Sequence, residues 1–199
     1  MSRRVALFSI LTAVVLVGAF FYLLRLKRLT FAPQSPKAEA TARTKLREAA
    51  LEPASGPTQL VTLYFPSYAE GLLRPETRPL ALAANDTDRI KQIVLALIEG
   101  SQQGLGSVLP PTATLRAVFL TADGTAFLDF SQDALTNFPP GIESESLAVY
   151  SIVDSLAVNV PDVKRVQFLI QGQQAHTLAG HISLSGYFVP DSSLIAPSQ

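Results

Sequence analysis

The feature that most constrains this chain is residues 5–24, VALFSILTAVVLVGAFFYLL, twenty consecutive residues without a charge. In lipid every backbone N–H and C=O must find its partner within the segment, so such a run folds as a helix. At about 1.5 Å per residue it reaches across a hydrocarbon core roughly 30 Å thick. Arg3 and Arg4 precede it, and Arg25, Lys27 and Arg28 follow it. Val17-Gly18-Ala19 offers the small residues of a signal-peptide cleavage site. The apolar run nevertheless continues through Phe20, Phe21, Tyr22, Leu23 and Leu24, so the segment reads as an uncleaved transmembrane anchor behind a short tail, residues 1–4. Both flanks are basic, so the charge rule leaves orientation open.

The net charge of zero is a cancellation. Residues 1–57 hold nine Lys/Arg against three Asp/Glu, and residues 58–199 hold seven against thirteen. An acidic domain meets nucleic-acid phosphates with like charge, so no nucleic-acid partner is expected. There is no cysteine, which excludes a disulfide, a zinc–thiolate site, a cysteine nucleophile and a lipidated cysteine. Residues 25–57 are basic and rich in alanine and proline, with Pro33, Pro36, Pro53 and Pro57 bracketing the centre. That composition reads as a spacer.

From Gln59 the pattern changes. LVTLYF (60–65) is a strand, and LLRPETRPLAL is the ordered part of an extended excursion after Pro66. Residues 85–100 form a helix, with cap candidates Asn85, Asp86 and Thr87, a stripe of Ile90, Ile93, Val94 and Leu97, and a stop at Gly100. Residues 114–130 form a hairpin turning at Asp123-Gly124. A second helix covers about 143–158, then come a strand at 163–170, a turn at Gln171-Gly172 and a final strand within 177–189. The order predicts an α/β (α+β) two-layer sandwich behind the transmembrane helix. It has one mixed β-sheet and two main helices, with a parallel strand pair joined across the second helix. The folded domain spans 58–190, with a tail at 191–199.

Seven ordered segments carry a family resemblance: LVTLYFPS, LLRPETRPLA, ALIEGSQQGLGSVLPPTATLRAV, DGTAFLDFS, SLAVYSIVDSL, VKRVQFLIQGQ and LAGHISLSG. Together they resemble the GerMN domain of sporulation and germination proteins, over about residues 59–190, in one copy. The resemblance implies an extracytoplasmic module without catalytic residues or cofactors. It also implies a fold similar to the small α/β ring-building modules of envelope assemblies.

The histidines, His176 and His181, are five residues apart, which puts them on opposite faces of a strand, and no acid stands nearby in sequence to complete a metal shell. Gly124, Gly180, His181 and Gly186 therefore read as a structural signature: turns, bends and a hydrogen bond within the closing strand. Ser131, His181 and Asp129 make a triad on paper, but no Gly-x-Ser-x-Gly elbow exposes the serine. Glu143/Glu145 and Asp86/Asp88 fit helix starts, where the dipole favours acids. Asp129, isolated among apolar strand residues, caps the Ser131 turn or belongs to a partner surface. Arg74 and Arg78 are candidates for an anionic partner.

These readings favour a non-catalytic binding or assembly module of the bacterial cell envelope. It would hold the membrane through its N-terminal helix and bind envelope proteins or peptidoglycan, with a homo-oligomer as one assembly. The alternative is a peptidoglycan hydrolase or its activator. The family resemblance places the domain outside the cytoplasmic membrane.

Overall fold

A computed structural model describes residues 57–136 and 138–197. The anchor at 5–24 and nearly all of the spacer at 25–57 lie outside these residues. Among the described residues no helix is long and apolar enough to cross a membrane.

The chain opens with a long antiparallel hairpin, β1 (Thr58–Ser67) and β2 (Leu72–Ala81). β1 alternates in burial because Val61, Leu63 and Phe65 face the core. Helix α1 (Asp86–Glu99) follows, capped by the Asn85 side chain, which accepts from Asp88 N–H. Its buried stripe is the expected one. Then come β3 (Leu115–Leu120), β4 (Thr125–Phe130), helix α2 (Ile142–Asn159), β5 (Arg165–Ile170) and the two-residue β6 (Gln173–Gln174).

The strands divide into two sheets rather than one: β1-β2 alone, and β3-β4-β5-β6 in that order. The larger sheet is mixed, since β4 and β5 run parallel while its other pairs are antiparallel. The right length of chain for that parallel crossover is supplied by α2. Ala126, Leu128 and Phe130 of β4 and Val166, Phe168 and Ile170 of β5 form the core face, against the apolar stripes of α1 and α2.

What separates the sheets is polar. Along α2, Ser151, Ser155 and Asn159 recur every four residues, on one face of the helix. Ser155 accepts from Tyr64 N–H at 2.8 Å, and Ser151 donates to Tyr64 C=O. Asn159 accepts from Thr62 N–H at 3.1 Å and donates to Thr62 C=O at 2.6 Å. The outer edge of β1 thus pairs with a helix's side chains where a neighbouring strand would otherwise sit.

Further expectations change. β2 is a full ten-residue strand despite Pro75 and Pro79. Leu73 C=O accepts from Ala196 N–H on the side away from β1, so Pro75 and Pro79, in the same alternation, also turn their missing donors outward, where no ladder bond is lost. The closing segment 177–189 is not a strand. It is a loop touching the sheet through a Val166–Phe188 bridge and closing on itself at Thr177–Ser183. Residues 191–196, read as a tail, dock: Asp191 N–H donates to Asp154 at 2.9 Å, and Ile195 bridges Leu73.

Candidate functional site

The sequence candidates scatter. Ser131 Oγ accepts from Thr114 N–H, and Asp129 accepts from Gly172 N–H at 2.7 Å with Arg116 3.8 Å away. Asp129 therefore caps the β5–β6 turn, not the Ser131 turn. His181 binds a different acid, Glu145, so the paper triad is not assembled. Arg74 is half-buried and held by Glu70 at 2.5 Å. Arg78 is not on a surface: it is 5% exposed, stacks its guanidinium on Phe65, and donates to the C-terminal carbonyls of α1 at Ala96 and Gly100. Glu76, 3.7 Å from Arg78, accepts from Ser101 Oγ and Gln102 N–H just beyond that helix end. This buried pair fastens α1 to β2.

The densest polar constellation is one that no local sequence pattern announces. Glu145, in the first turn of α2, is fully buried. It accepts from Ile182 N–H at 2.9 Å, from His181 N–H at 3.1 Å and from His181 Nδ1 at 2.7 Å. An ionised carboxylate only accepts, so Nδ1 carries the hydrogen. Burial alone would push this carboxyl up, but the Ile182 and His181 donors outweigh it and hold it down at about 2. Gly180, at φ +114°, bends the loop so that successive N–H groups converge on the acid. A carboxylate offers about four lone-pair sites, and three donors of the closing loop reach them. Glu145 thus organises the closing loop from a fully buried position.

At Gly124 the backbone makes a strict demand. Its φ is +82°, and a Cβ there would sit 2.5 Å from Lys164 Cγ and 2.7 Å from Asp162 C=O. Gly186 has neither a positive φ nor a neighbour within 4 Å, so the backbone there places no demand on glycine. His176 lies elsewhere in the loop and does not join His181 in a ligand set: among the described residues no group of three or more His, Asp or Glu could hold a metal.

A further buried acid is Asp154, 3% exposed on α2. Desolvation raises its pKa to about 6, against the Asp191 N–H that lowers it, and the Asp191 charge adds to the rise. Its Oδ1 takes that N–H, while Oδ2 has no partner. It clamps the C-terminal segment to α2.

The fold and its occupied acids define a small α+β module whose polar residues hold loops and edges in place. The family model of sporulation and spore germination proteins, Germane, matches residues 62–176, more than half of the chain, and the chain belongs to that family. Solved structures agree on the fold. A candidate lipoprotein from Clostridium perfringens is 22% identical with a TM-score of 0.50, over 70% of this chain and 93% of that one. The first GerMN domain of the sporulation protein GerM from Bacillus subtilis is 23% identical with a TM-score of 0.52, over 70% and 98%. The tandem GerMN domains of the same protein give 24% and 0.53, over 64% of this chain and 44% of that one. No curated protein matches the chain.

Proposed function

We propose that the chain is a membrane-anchored, extracytoplasmic module of the bacterial cell envelope that acts by binding, without chemistry of its own. The observation that carries this reading is that Glu145, the acid with the most elaborate surroundings, is fully buried and engaged by three donors of the closing loop. The other acids with structural partners behave alike: Asp129 caps a turn, Glu76 a helix end, and Asp154 a docked segment. A peptidoglycan hydrolase would need two acids converging on open space. Family membership supports an envelope role, and the uncharged run at 5–24 supports the anchor. Arg74, half-exposed and paired with Glu70, is the sequence candidate left for an anionic partner, whereas Arg78 is withdrawn from that role by burial.

The test is topology combined with capture. Alkaline phosphatase, active only when exported, is fused after Gln199 and assayed in whole cells. Activity, followed by retention of envelope proteins or peptidoglycan on the purified chain, is the expected result. An inactive fusion that is nonetheless produced at full length would overturn the localisation, and with it the envelope role.

A further inference from the structure

The fold blunts several of its sheet edges. The outer edge of β1 is bonded by Ser155 and Asn159. On β2 the outward positions include Pro75 and Pro79, and Leu73 C=O is taken by Ala196. β5 exchanges two 2.8 Å hydrogen bonds with Phe188 and pairs with β6. Prolines, side-chain caps and covering loops are the ordinary means of blunting an edge.

β3 differs. Thr121 N–H donates to Thr125 C=O at the hairpin end, so in the β3–β4 register Phe119 pairs with Phe127 through hydrogen bonds and the alternate residues, Val118 and Leu120, turn their N–H and C=O groups outward. Among the described residues no backbone bond from outside the strand reaches Val118 or Leu120. Beside them a groove of about 220 Å³ runs between β3 and Thr87, Asp88 and Lys91 of α1. Phe119, which also lines this groove, is 60% exposed.

We propose that β3 pairs antiparallel with β3 of a second copy of this chain, about a twofold axis at Phe119. The register follows from the free groups. Centring on Phe119 sets Val118 of each copy opposite Leu120 of the other, so all the outward donors and acceptors of those residues are used at once. Centring on Val118 would leave the Leu120 groups opposite the bulge at Arg116, where the β3–β4 register shifts. The same axis brings the two Phe119 side chains together as a non-hydrogen-bonded pair, the closer of the two kinds, flanked by Phe127 of each copy. The exposed aromatic is covered by its own equivalent, as an isologous contact requires. The α1 wall contributes one acid and one base, Asp88 and Lys91, so identical copies meet there without net like charge.

The chain has no cysteine, which makes the test clean. Full-length protein carrying Phe119→Cys is oxidised mildly in detergent, beside Gln103→Cys on the exposed loop after α1. A non-hydrogen-bonded antiparallel pair places Cα atoms about 4.5 Å apart, within disulfide reach, so the Phe119→Cys variant should give about fivefold more covalent dimer than the Gln103→Cys variant. Adding Val118→Pro removes a donor that the monomer does not use, and dimer yield should fall to the control level while protease resistance of the domain is unchanged. Equal dimer yields from the two cysteine variants would overturn the proposal. So would a disulfide to a protein of another mass, or a dimer indifferent to Val118→Pro.

Discussion

Glu145→Gln tests the central polar feature of the fold. The substitution keeps the shape of the side chain and removes its charge. In the folded protein the carboxyl sits at about 2 instead of its ordinary 4.5, so ionisation is favoured by folding. A shift of that size corresponds to about 3 kcal/mol, present above pH ~4.5 and lost as pH falls through ~4.5 toward ~2. The amide would also turn two donors toward an N–H-lined cage, leaving at least one donor facing another. The assay is urea unfolding followed by circular dichroism at several pH values. Glu145→Gln should lose about 3 kcal/mol at pH 7 and much less near pH 2.5, where the native carboxyl is itself being protonated. Proteolysis should first cut within 177–186, because the loop loses the acceptor that gathers His181 and Ile182. A loss below about 1 kcal/mol at pH 7, or a loss independent of pH, would refute the account of a charge held by loop donors.

Two other substitutions follow from the same geometry. Gly124→Ala forces a side chain into a positive φ and against Lys164 and Asp162, and should cost about 2 kcal/mol or more, whereas Gly186→Ala should change stability by less than about 0.5 kcal/mol; thermal melts of both compare them directly. Asp154 has the opposite sign to Glu145: its folded pKa is raised from 3.8 to about 6, so its ionisation withdraws stability as pH rises between those values. Asp154→Asn should therefore gain about 2 kcal/mol on the native chain at pH 7 and little at pH 4, read as the difference in urea midpoints.

Elements carried by local chemistry are legible in the sequence. The α1 stripe, the Asn85 cap, the Gly100 stop and the Asp123-Gly124 turn each follow from residues within a few positions of one another. The parallel β4–β5 pair is legible too, because the length of chain between those strands admits little else. Glu145 misleads for a physical reason. A glutamate in a helix's first turn is fully explained by the helix dipole, and its true partners stand 36 and 37 residues away, with no local pattern to announce them. Arg78 and Asp129 mislead the same way, since burial of a charge depends on what folds over it. The closing loop misleads because Ile182, Leu184 and Phe188 alternate as a strand would, while Gly180 bends the backbone and Glu145 takes the N–H groups that a ladder would need.

The Ser151, Ser155 and Asn159 stripe is visible in sequence, yet its meaning depends on structure. Polar residues every four positions in an otherwise apolar helix normally mark the wet side. Here Ser151 and Ser155 are fully buried, so their hydroxyls must bond within the protein, and they bond to the edge of β1. An edge satisfied by side chains cannot also be extended by another strand without leaving those hydroxyls unpaired. The larger sheet is closed by Phe188 on the β5 side. The strand addition proposed above therefore uses β3 and not the outer edge of β1.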